Sequence, residues 1–176
     1  MRVAYPGLPG AFSHEACLRF LPEYEPVQCE SFEKVIGAVA SGNSEIGILP
    51  IANNAAGDTG ASELIDRMPV RIAKVQELPV RMHLLGVPGG RIEDVRKIIS
   101  HPVALRQCVR TLQGLGLPTE EAPNTAVAAA GLNDASCAVL GSEAAARIYG
   151  LSVLVRDVHD RPDNATSFAI IERDGA

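Results

Sequence analysis

The chain has 176 residues, of which 47% are hydrophobic and 21% charged, and its net charge is -5. This composition is typical of a globular protein and excludes disordered, collagen-like and coiled-coil chains. The charged residues are scattered and offer no basic stripe to a nucleic acid. No apolar run approaches the roughly 20 residues that span a bilayer, and the N-terminal segment lacks the apolar core of a signal peptide. We therefore expect a cytoplasmic protein with no nucleic-acid and no membrane partner.

The first half of the chain predicts two strand–helix units followed by a third strand. In chain order we expect a strand at 2–5, a helix at 13–21, a strand at 26–29, a helix opened by Ser31 and a strand at 45–49. Ser13 is the candidate N-cap of the first helix. A loop over 50–60 and a short helix over 61–68 follow. Residues 70–87 are expected to be extended, with a bend at Pro79.

The second half continues the same alternation, which predicts an α/β fold. We expect a strand at 98–100, a helix at 102–112, a strand at 118–121, a helix opened by Asn124 or Thr125, a strand at 137–140, a helix at 142–149 closed by Gly150, and strands at 153–155 and 168–171. The buried stripe of the helix at 102–112 would comprise Leu105, Cys108, Val109 and Leu112. Strands separated by helices need crossover connections, which predicts mostly parallel pairing. The extended stretch could connect two lobes, with a ligand cleft at the strand ends.

The four cysteines are predicted to be small buried apolar residues. Cys17, Cys29, Cys108 and Cys137 lie far apart in apolar surroundings and form no C-x-x-C pair. We therefore expect no disulfide and no metal site.

A glycine-rich loop over 7–13 joins the first predicted strand to the first helix. Gly7 and Gly10 would let the backbone approach a ligand, and the free N–H groups of a helix start attract an anion. The loop lacks the Lys of a P-loop and the spacing G-x-G-x-x-G. The anion-binding signal is therefore weak, and a tight turn with a serine cap is the simpler interpretation.

Polar residues also flank two other predicted strands. Asn53 and Asn54 follow the strand at 45–49, where their amides could bind a carboxylate, although such residues are also common in turns. Thr166 enters the last strand, and the two-residue period of a strand places Phe168 on its face and Ser167 on the other.

A third polar group lies at 100–107. Ser100 and His101 follow a predicted strand, and Gln107 precedes a buried position, while Arg106 is expected to face water. The ordinary pKa of imidazole lies near neutrality, so His101 could be a catalyst, or it could simply cap the next helix. None of these segments forms a Ser-His-Asp order, a metal-ligand cluster or a cofactor fingerprint. Spacing alone predicts a small-anion-binding α/β protein.

Taken together, the segments resemble the prephenate dehydratase family over nearly the whole chain. The motifs that carry the resemblance follow the family's order: VAYPGLPGAFSHEA, SFEKVIGAVASGNSEIGILPIANN, SHPVALRQC, NTAVAA, CAVLGSEAAARIYGL and DRPDNATSFAII. The resemblance implies a two-lobed α/β catalytic part of the type II periplasmic-binding-protein kind, with a cleft between the lobes. One lobe would comprise residues from about 1 to 78 plus the C-terminal segment, and the other residues from about 79 to 155. It also implies a homodimer. Family members normally continue into a phenylalanine-binding ACT domain, and we expect none in these 176 residues.

The resemblance further implies a reaction and a set of site residues. The family's reaction removes a ring carboxylate as CO2 and a ring hydroxyl as water, and aromatisation drives it without a cofactor. Thr166 would assist the leaving hydroxyl, while Asn53, Ser100 and Gln107 would orient a small carboxylate substrate. Further substrate contacts are expected from Ala11, Phe12, Ser13, Asn54, His101, Ser167 and Phe168.

Five positions depart from the family motifs. Ala11 stands for Thr, Ala52 for Glu, Asn54 for Ser, Val103 for Gln and Ser167 for Arg. A charge-assisted hydrogen bond is worth about 1.5 to 3 kcal/mol, so the missing Arg predicts weaker binding of a carboxylate. Three hypotheses stay open: a prephenate dehydratase without a regulatory domain, a dehydratase-like enzyme of specialised metabolism, and a non-catalytic anion-binding protein. The second includes the tropone and tropodithietic acid type and prephenate decarboxylases that do not aromatise.

Overall fold

The chain forms two compact units, each built around its own β-sheet. The computed structural model describes residues 1–175. Unit 1 comprises residues 1–8, 12–79 and 165–175, and unit 2 comprises residues 9–11 and 80–164. Helices and strands alternate in both units, which confirms the predicted α/β class.

Eleven strands and seven α-helices make up the described chain. In chain order they are β1 (Arg2–Pro6), α1 (Phe12–Phe20), β2 (Glu25–Cys29), α2 (Phe32–Ala40), β3 (Ile46–Asn53), β4 (Gly57–Asp58), α3 (Ala61–Ile65), β5 (Val70–Pro79), β6 (His83–Gly86), β7 (Lys97–Ser100), α4 (Pro102–Gln107), α5 (Val109–Leu115), β8 (Thr119–Glu121), α6 (Thr125–Gly131), β9 (Cys137–Gly141), α7 (Glu143–Ile148), β10 (Ser152–Val155) and β11 (Ala165–Arg173). A short 3-10 turn, Ile92–Asp94, precedes β7.

Local signals located several helix starts correctly. The hydroxyl of Ser31 accepts from Lys34 N and caps α2, and Asn124 caps α6 in the same way. The first helix differs, because α1 begins at Phe12 and Ser13 lies inside its first turn. The predicted N-cap role of Ser13 is therefore wrong. Gly10, two residues before the helix, has a positive φ of 85°.

The sheet of unit 1 has the strand order β2-β1-β3-β11-β5, with β4 paired to β3. Strand β3 runs on through Pro50 to Asn53, so the loop predicted over 50–60 is wrong for its first residues. The cause is tertiary, because β11 pairs antiparallel with β3 over its whole length, from Ile46 to Asn53. A register shift between Ser167 and Phe168 lies opposite this proline-containing stretch.

Pairing within the two sheets is mixed, and the prediction of mostly parallel strands is wrong. Among residues 1–175, β1 pairs parallel with β2 and β3, and β7 pairs parallel with β8 and β9. The other pairings, including both pairings of β11 and both pairings of β6, are antiparallel. The crossover argument holds where a helix joins two neighbouring strands, as it does for β1 and β2 and for β7 and β8. It fails for β6 and β11, each of which begins shortly after the chain passes from one unit to the other.

The sheet of unit 2 has the order β10-β6-β9-β7-β8. The single helix predicted over 102–112 is two helices, since Cys108 leaves helical geometry at φ -125° and ψ 25°. Pro102 occupies the first turn of α4, as predicted. Of the predicted buried stripe, Cys108 is buried, Leu105 and Leu112 are half-buried, and Val109 is 39% exposed, so the place of Val109 in the stripe is wrong.

Both faces of the unit 1 sheet carry apolar clusters. One contains Tyr5, Leu78 and Phe168, and the other contains residues of α2 together with Ala169 and Ile171 of β11. Successive side chains of β11 alternate between these two clusters, and this alternation determines which face of the sheet each residue of β11 occupies.

The four cysteines differ in burial. Cys17 and Cys108 are buried, and burial raises the pKa of each thiol to about 12. Cys29 and Cys137 are only half-buried, which corrects the prediction that all four are core residues. No helix in the part of the chain that the structure describes is long and apolar enough to cross a membrane.

Candidate active site

Asn53 and Thr166 form a direct cross-strand pair at the ends of β3 and β11. The Nδ2 of Asn53 donates to Thr166 Oγ1 at 2.9 Å and to the carbonyl of Ala165 at 3.0 Å. The Oδ1 of the same side chain accepts from the backbone N–H groups of Ala55 and Ala56. Both ends of the Asn53 carboxamide are therefore engaged, which holds its donor against Thr166.

The Asn53 contact orients the Thr166 hydroxyl. Because Oγ1 receives an N–H from Asn53, its own proton points away from that side chain. Thr166 is 8% exposed, so its hydroxyl can donate in a place with little competing water. This arrangement suits stabilisation of a leaving hydroxyl.

The neighbours of Thr166 on β11 divide between the two faces of the sheet, as predicted. Thr166 pairs with Leu78 of the apolar cluster that also contains Phe168. Ser167 lies on the opposite face, where its cross-strand partners are Ala52 and Glu77. Phe168 is 1% exposed within the core, so the structure favours a packing role over the expected substrate contact.

Asn54 supports the same strand end. Its backbone N–H donates to the carbonyl of Ala165, and its Oδ1 accepts from Ala165 N at 3.0 Å. These two bonds join the residue after β3 to the first residue of β11. The structure thus gives Asn54 a structural role that the sequence reasoning did not foresee.

The loop over residues 9–11 is held by α7 and its flanking residues, within unit 2. The Ser142 hydroxyl donates to Gly10 O at 3.1 Å, and the Tyr149 hydroxyl donates to Pro9 O at 2.6 Å. A Cβ on Gly10 would lie 2.9 Å from the Cα of Ala145, so only glycine fits there. Sequence analysis missed Ser142 and Tyr149 as supports of this loop, although both lie in a motif that carries the resemblance.

The expected site residues at the end of this loop and directly after it differ in their surroundings. Ala11 is half-buried, Phe12 packs against the cluster around Tyr5, and Ser13 is buried. The His14 ring lies 5.1 Å from the Tyr5 ring between centroids, and burial lowers the pKa of His14.

Ser100 is the last residue of β7 and is fully buried. Among residues 1–175, its Oγ is the one buried side-chain nitrogen or oxygen without a hydrogen-bond partner. Such atoms usually bind a ligand or a water molecule. The position predicted from the motif is therefore also the polar group that most needs an added partner.

His101 caps α4. Its Nδ1 accepts from Val103 N at 3.2 Å, which confirms the capping alternative. Gln107 is the last residue of α4, and its Oε1 accepts from Asn164 Nδ2 at 3.4 Å. Ser100 and Gln107 thus lie at opposite ends of one short helix, and Asn53 and Thr166 touch each other. Arg106 is exposed, as predicted.

The fold defines a class, namely α/β proteins built on two mixed β-sheets. Within that class, the chain belongs to the prephenate dehydratase family. The family model described as prephenate dehydratase matches residues 3–176. The resemblance drawn from the sequence motifs is thereby confirmed.

Curated relatives support the same family. The chain is 40% identical over 180 residues to arogenate dehydratase/prephenate dehydratase 2, chloroplastic, from Arabidopsis thaliana. That match covers 99% of this chain and 47% of the relative. The chain therefore spans about half the length of the curated relatives it matches.

Solved structures match the whole chain. Prephenate dehydratase from Arthrobacter aurescens in complex with L-Phe has a TM-score of 0.91 and 25% identity, with 100% of this chain and 61% of that chain covered. GqqA, described as a novel type of quorum quenching acylase, has a TM-score of 0.90 and 33% identity, covering 100% and 65%. A periplasmic substrate-binding protein from Coxiella burnetii, with a TM-score of 0.51 and 12% identity over 99% of this chain and 85% of that chain, is similar in fold alone.

Proposed function

We propose that this chain is the catalytic part of a dehydratase that acts on prephenate or arogenate. The observation that carries the proposal is the hydrogen bond from Asn53 to Thr166, which leaves the threonine hydroxyl proton directed away from the Asn53 side chain. Family membership and relatives named arogenate or prephenate dehydratase support the choice of substrate.

The reaction needs little acid–base chemistry from the protein. The bond between the ring and its carboxylate breaks, the electron pair enters the ring, and the ring C–O bond breaks as the hydroxyl leaves. CO2 and, after one protonation, water are released. An alcohol is a poor acid at neutral pH, so Thr166 stabilises the departing oxygen by hydrogen bonding.

The remaining polar residues are proposed to orient the substrate. Asn53 and Gln107 carry amide donors, and Ser100 carries a buried hydroxyl that a ligand oxygen or a water molecule would satisfy. Ala11, Phe12, Ser13, Asn54, His101 and Ser167 stay proposals for further contacts, resting on the motifs. A homodimer, which light scattering would test, and a cytoplasmic location are proposals of the same kind.

Product analysis on both substrates tests the proposal. The purified chain should convert prephenate to phenylpyruvate or arogenate to phenylalanine. A decarboxylated, non-aromatic acid would favour an enzyme of specialised metabolism. Thermal stabilisation of the protein by either compound, with no product formed, would favour a non-catalytic binding protein. Turnover no faster than the spontaneous reaction would contradict the dehydratase proposal.

A second candidate function is hydrolysis of an acyl bond. The similarity to GqqA, at 33% identity over the full chain, favours it. The described contacts argue against a serine nucleophile, since Ser100 Oγ has no base partner and His101 Nδ1 is used as a cap. Release of a free carboxylic acid from an N-acyl compound by the purified chain would establish this activity, and retention of that activity in Ser100→Ala would show that Ser100 is not its nucleophile.

A further inference from the structure

Three residues of the apolar stripe predicted for the helix over 102–112 line a surface cavity of unit 2. The cavity has a volume of about 400 Å³. Its apolar wall consists of Leu105 on α4, Val109 and Leu112 on α5, and Leu117 in the loop that follows. The three leucines are half-buried and Val109 is exposed. Helix α5 has no buried residue, so its apolar side chains stay in contact with solvent.

The backbone that carries this wall is held from outside the cavity. Cys108 leaves helical geometry between α4 and α5, and Asp160 bonds to both sides of that break. Its N–H donates to Gln107 O at 2.7 Å, and its carboxylate accepts from Arg110 N at 3.0 Å. Gly116, at φ 63°, ends α5 in left-handed geometry. Asp160 does not line the cavity, so these bonds leave its interior open.

One cation lies beside the apolar wall. Arg106 on α4 lines the cavity and is exposed. Within residues 1–175, its guanidinium forms no ion pair and no hydrogen bond. Gln113 adds a carboxamide to the lining, and none of the described residues that line the cavity is acidic. An arginine without a partner suits a carboxylate, because its planar fork can donate to both carboxylate oxygens.

The cavity therefore suits a small ligand that is apolar at one end and anionic at the other. Ligand sites typically have about 300 to 1,000 Å³, a mainly apolar lining and a few polar groups that set orientation. We propose that this cavity binds a small apolar monocarboxylate. Its hydrocarbon part lies against Leu105, Val109 and Leu112, and its carboxylate lies on Arg106. This site is independent of the proposed dehydratase function.

The charges disfavour a second copy of the chain as the occupant. Arg106 and Arg110 are both exposed on this face. In a two-fold contact, each copy presents the same patch to the other. A contact centred on the cavity would bring the arginines of one copy toward those of its partner, and like charges oppose such a contact.

Titration of the full chain with 3-phenylpropanoate tests the proposal. Binding is followed by the assigned backbone 15N–1H signals at about 0.15 M salt, where long-range charge effects are screened. We expect saturable binding with a Kd of about 1 mM or tighter, and shifts centred on residues 105–117. The uncharged 3-phenylpropanamide has the same hydrocarbon part and should bind about tenfold more weakly.

Arg106→Gln tests the charge contact. This variant should bind the acid as weakly as the native protein binds the amide, while its affinity for the amide stays unchanged. Arg110→Gln is the matched control, since it removes the same charge four residues away and outside the cavity lining. The backbone N–H of residue 110, which donates to Asp160, is kept in this control. We expect the control to bind the acid as the native protein does.

Val109→Asp tests the apolar wall. It should weaken the binding of both ligands, because a polar side chain replaces apolar surface that the hydrocarbon part would cover. Val127→Asp is its control, since Val127 is a similarly exposed valine of unit 2 on α6, outside the cavity lining. We expect this control to leave both affinities unchanged.

Several outcomes would overturn the proposal. Equal affinities of the native protein for acid and amide would show that Arg106 binds no carboxylate. Shifts centred outside residues 105–117, or binding that does not saturate, would show that the cavity is not the site. Shifts over 105–117 that depend on protein concentration without ligand would show that a second copy covers this face. None of these readouts measures turnover, so the dehydratase proposal stands or fails separately.

Discussion

Ala52 and Ser167 face each other across β3 and β11 as register partners. The family motifs that the sequence resembles have Glu and Arg at these two positions, and in this register the two would face each other as a cross-strand ion pair, where this chain has two neutral residues. Thr166 points to the opposite face of the sheet from Ser167. The two replacements therefore remove one another's partner, and they leave the face that presents Thr166 unchanged. The motif alone suggested that the missing Arg weakens binding of a carboxylate substrate. The register indicates instead that an Arg at position 167 would face the side chain at position 52.

The charges around this pair predict a measurable coupling. Ala52 also pairs with Asp58, and Ser167 also pairs with Glu77. We expect Ala52→Glu to lower the free energy of unfolding, because it adds a carboxylate beside Asp58, and Ser167→Arg to raise it slightly. Together they should show a coupling of about 0.2 to 1 kcal/mol in urea titrations at low salt. Additive effects would contradict the pairing, and added salt should reduce the coupling.

The Thr166 hydroxyl is expected to carry most of the chemistry. Thr166→Val keeps the shape and should lower kcat by about a hundredfold, whereas Thr166→Ser keeps the hydroxyl and should retain most activity. Asn53→Asp should also lower kcat, since a carboxylate accepts the Thr166 proton and turns it inward. Steady-state kinetics on the accepted substrate measure these effects, with Thr119→Val on exposed β8 as control. Full turnover by Thr166→Val would exclude the proposed role.

Gly10 should tolerate no side chain. At φ 85°, and with a Cβ only 2.9 Å from the backbone of Ala145, Gly10→Ala must displace the loop that Ser142 and Tyr149 hold. Gly116 has φ 63° but open space around it, so Gly116→Ala carries the backbone strain without the clash. In thermal unfolding, we expect a clearly larger loss of stability for Gly10→Ala than the roughly 1 kcal/mol of the control. Equal losses would show that the close contact is unimportant.

The pH dependence of stability should report His83. Burial lowers the pKa of His83 from 6.5, and its Nδ1 accepts from Asp157 N at 3.0 Å, which requires the unprotonated nitrogen. The unfolded chain therefore binds the proton more readily. The contribution of neutral His83 is complete above about pH 6.5 and is lost as the pH falls toward the lowered pKa.

Urea unfolding at pH 7.5 and pH 5 checks this expectation. The native protein should lose more free energy of unfolding between the two pH values than His83→Gln, whose side-chain oxygen can accept the same N–H without titrating. Parallel losses in the two proteins would assign the acid sensitivity elsewhere, for example to His14, whose pKa burial also lowers.

Features set by neighbouring residues were predictable from the sequence. Ser31 and Asn124 cap the helices that follow them, and Pro102 opens α4, because these signals act within one turn. The extension of β3 and the break at Cys108 were not predictable, because both involve contacts with residues distant in sequence. Strand β11 pairs with β3 along its extension. Asp160 bonds to Gln107 O and Arg110 N on either side of the break.

For the candidate site, the sequence predicted the residues but not their contacts. The motif resemblance indicated Asn53, Ser100, Gln107 and Thr166 individually. The sequence did not show that Asn53 donates to Thr166, 113 residues away, or that Asn164 holds Gln107. Such contacts follow from strand register and from the path of a loop, which local patterns do not encode.

Strand β11 also determines when unit 1 can be completed. It lies between β3 and β5 in the sheet, yet all of residues 80–164 must be synthesised before it appears. Those residues are continuous in sequence and can begin to fold while the chain is still growing. Unit 1 has to wait for its inner strand, which must insert between two strands already made, so its assembly depends on slow, long-range contacts. The strand that supplies Thr166 is therefore the last described strand to be made.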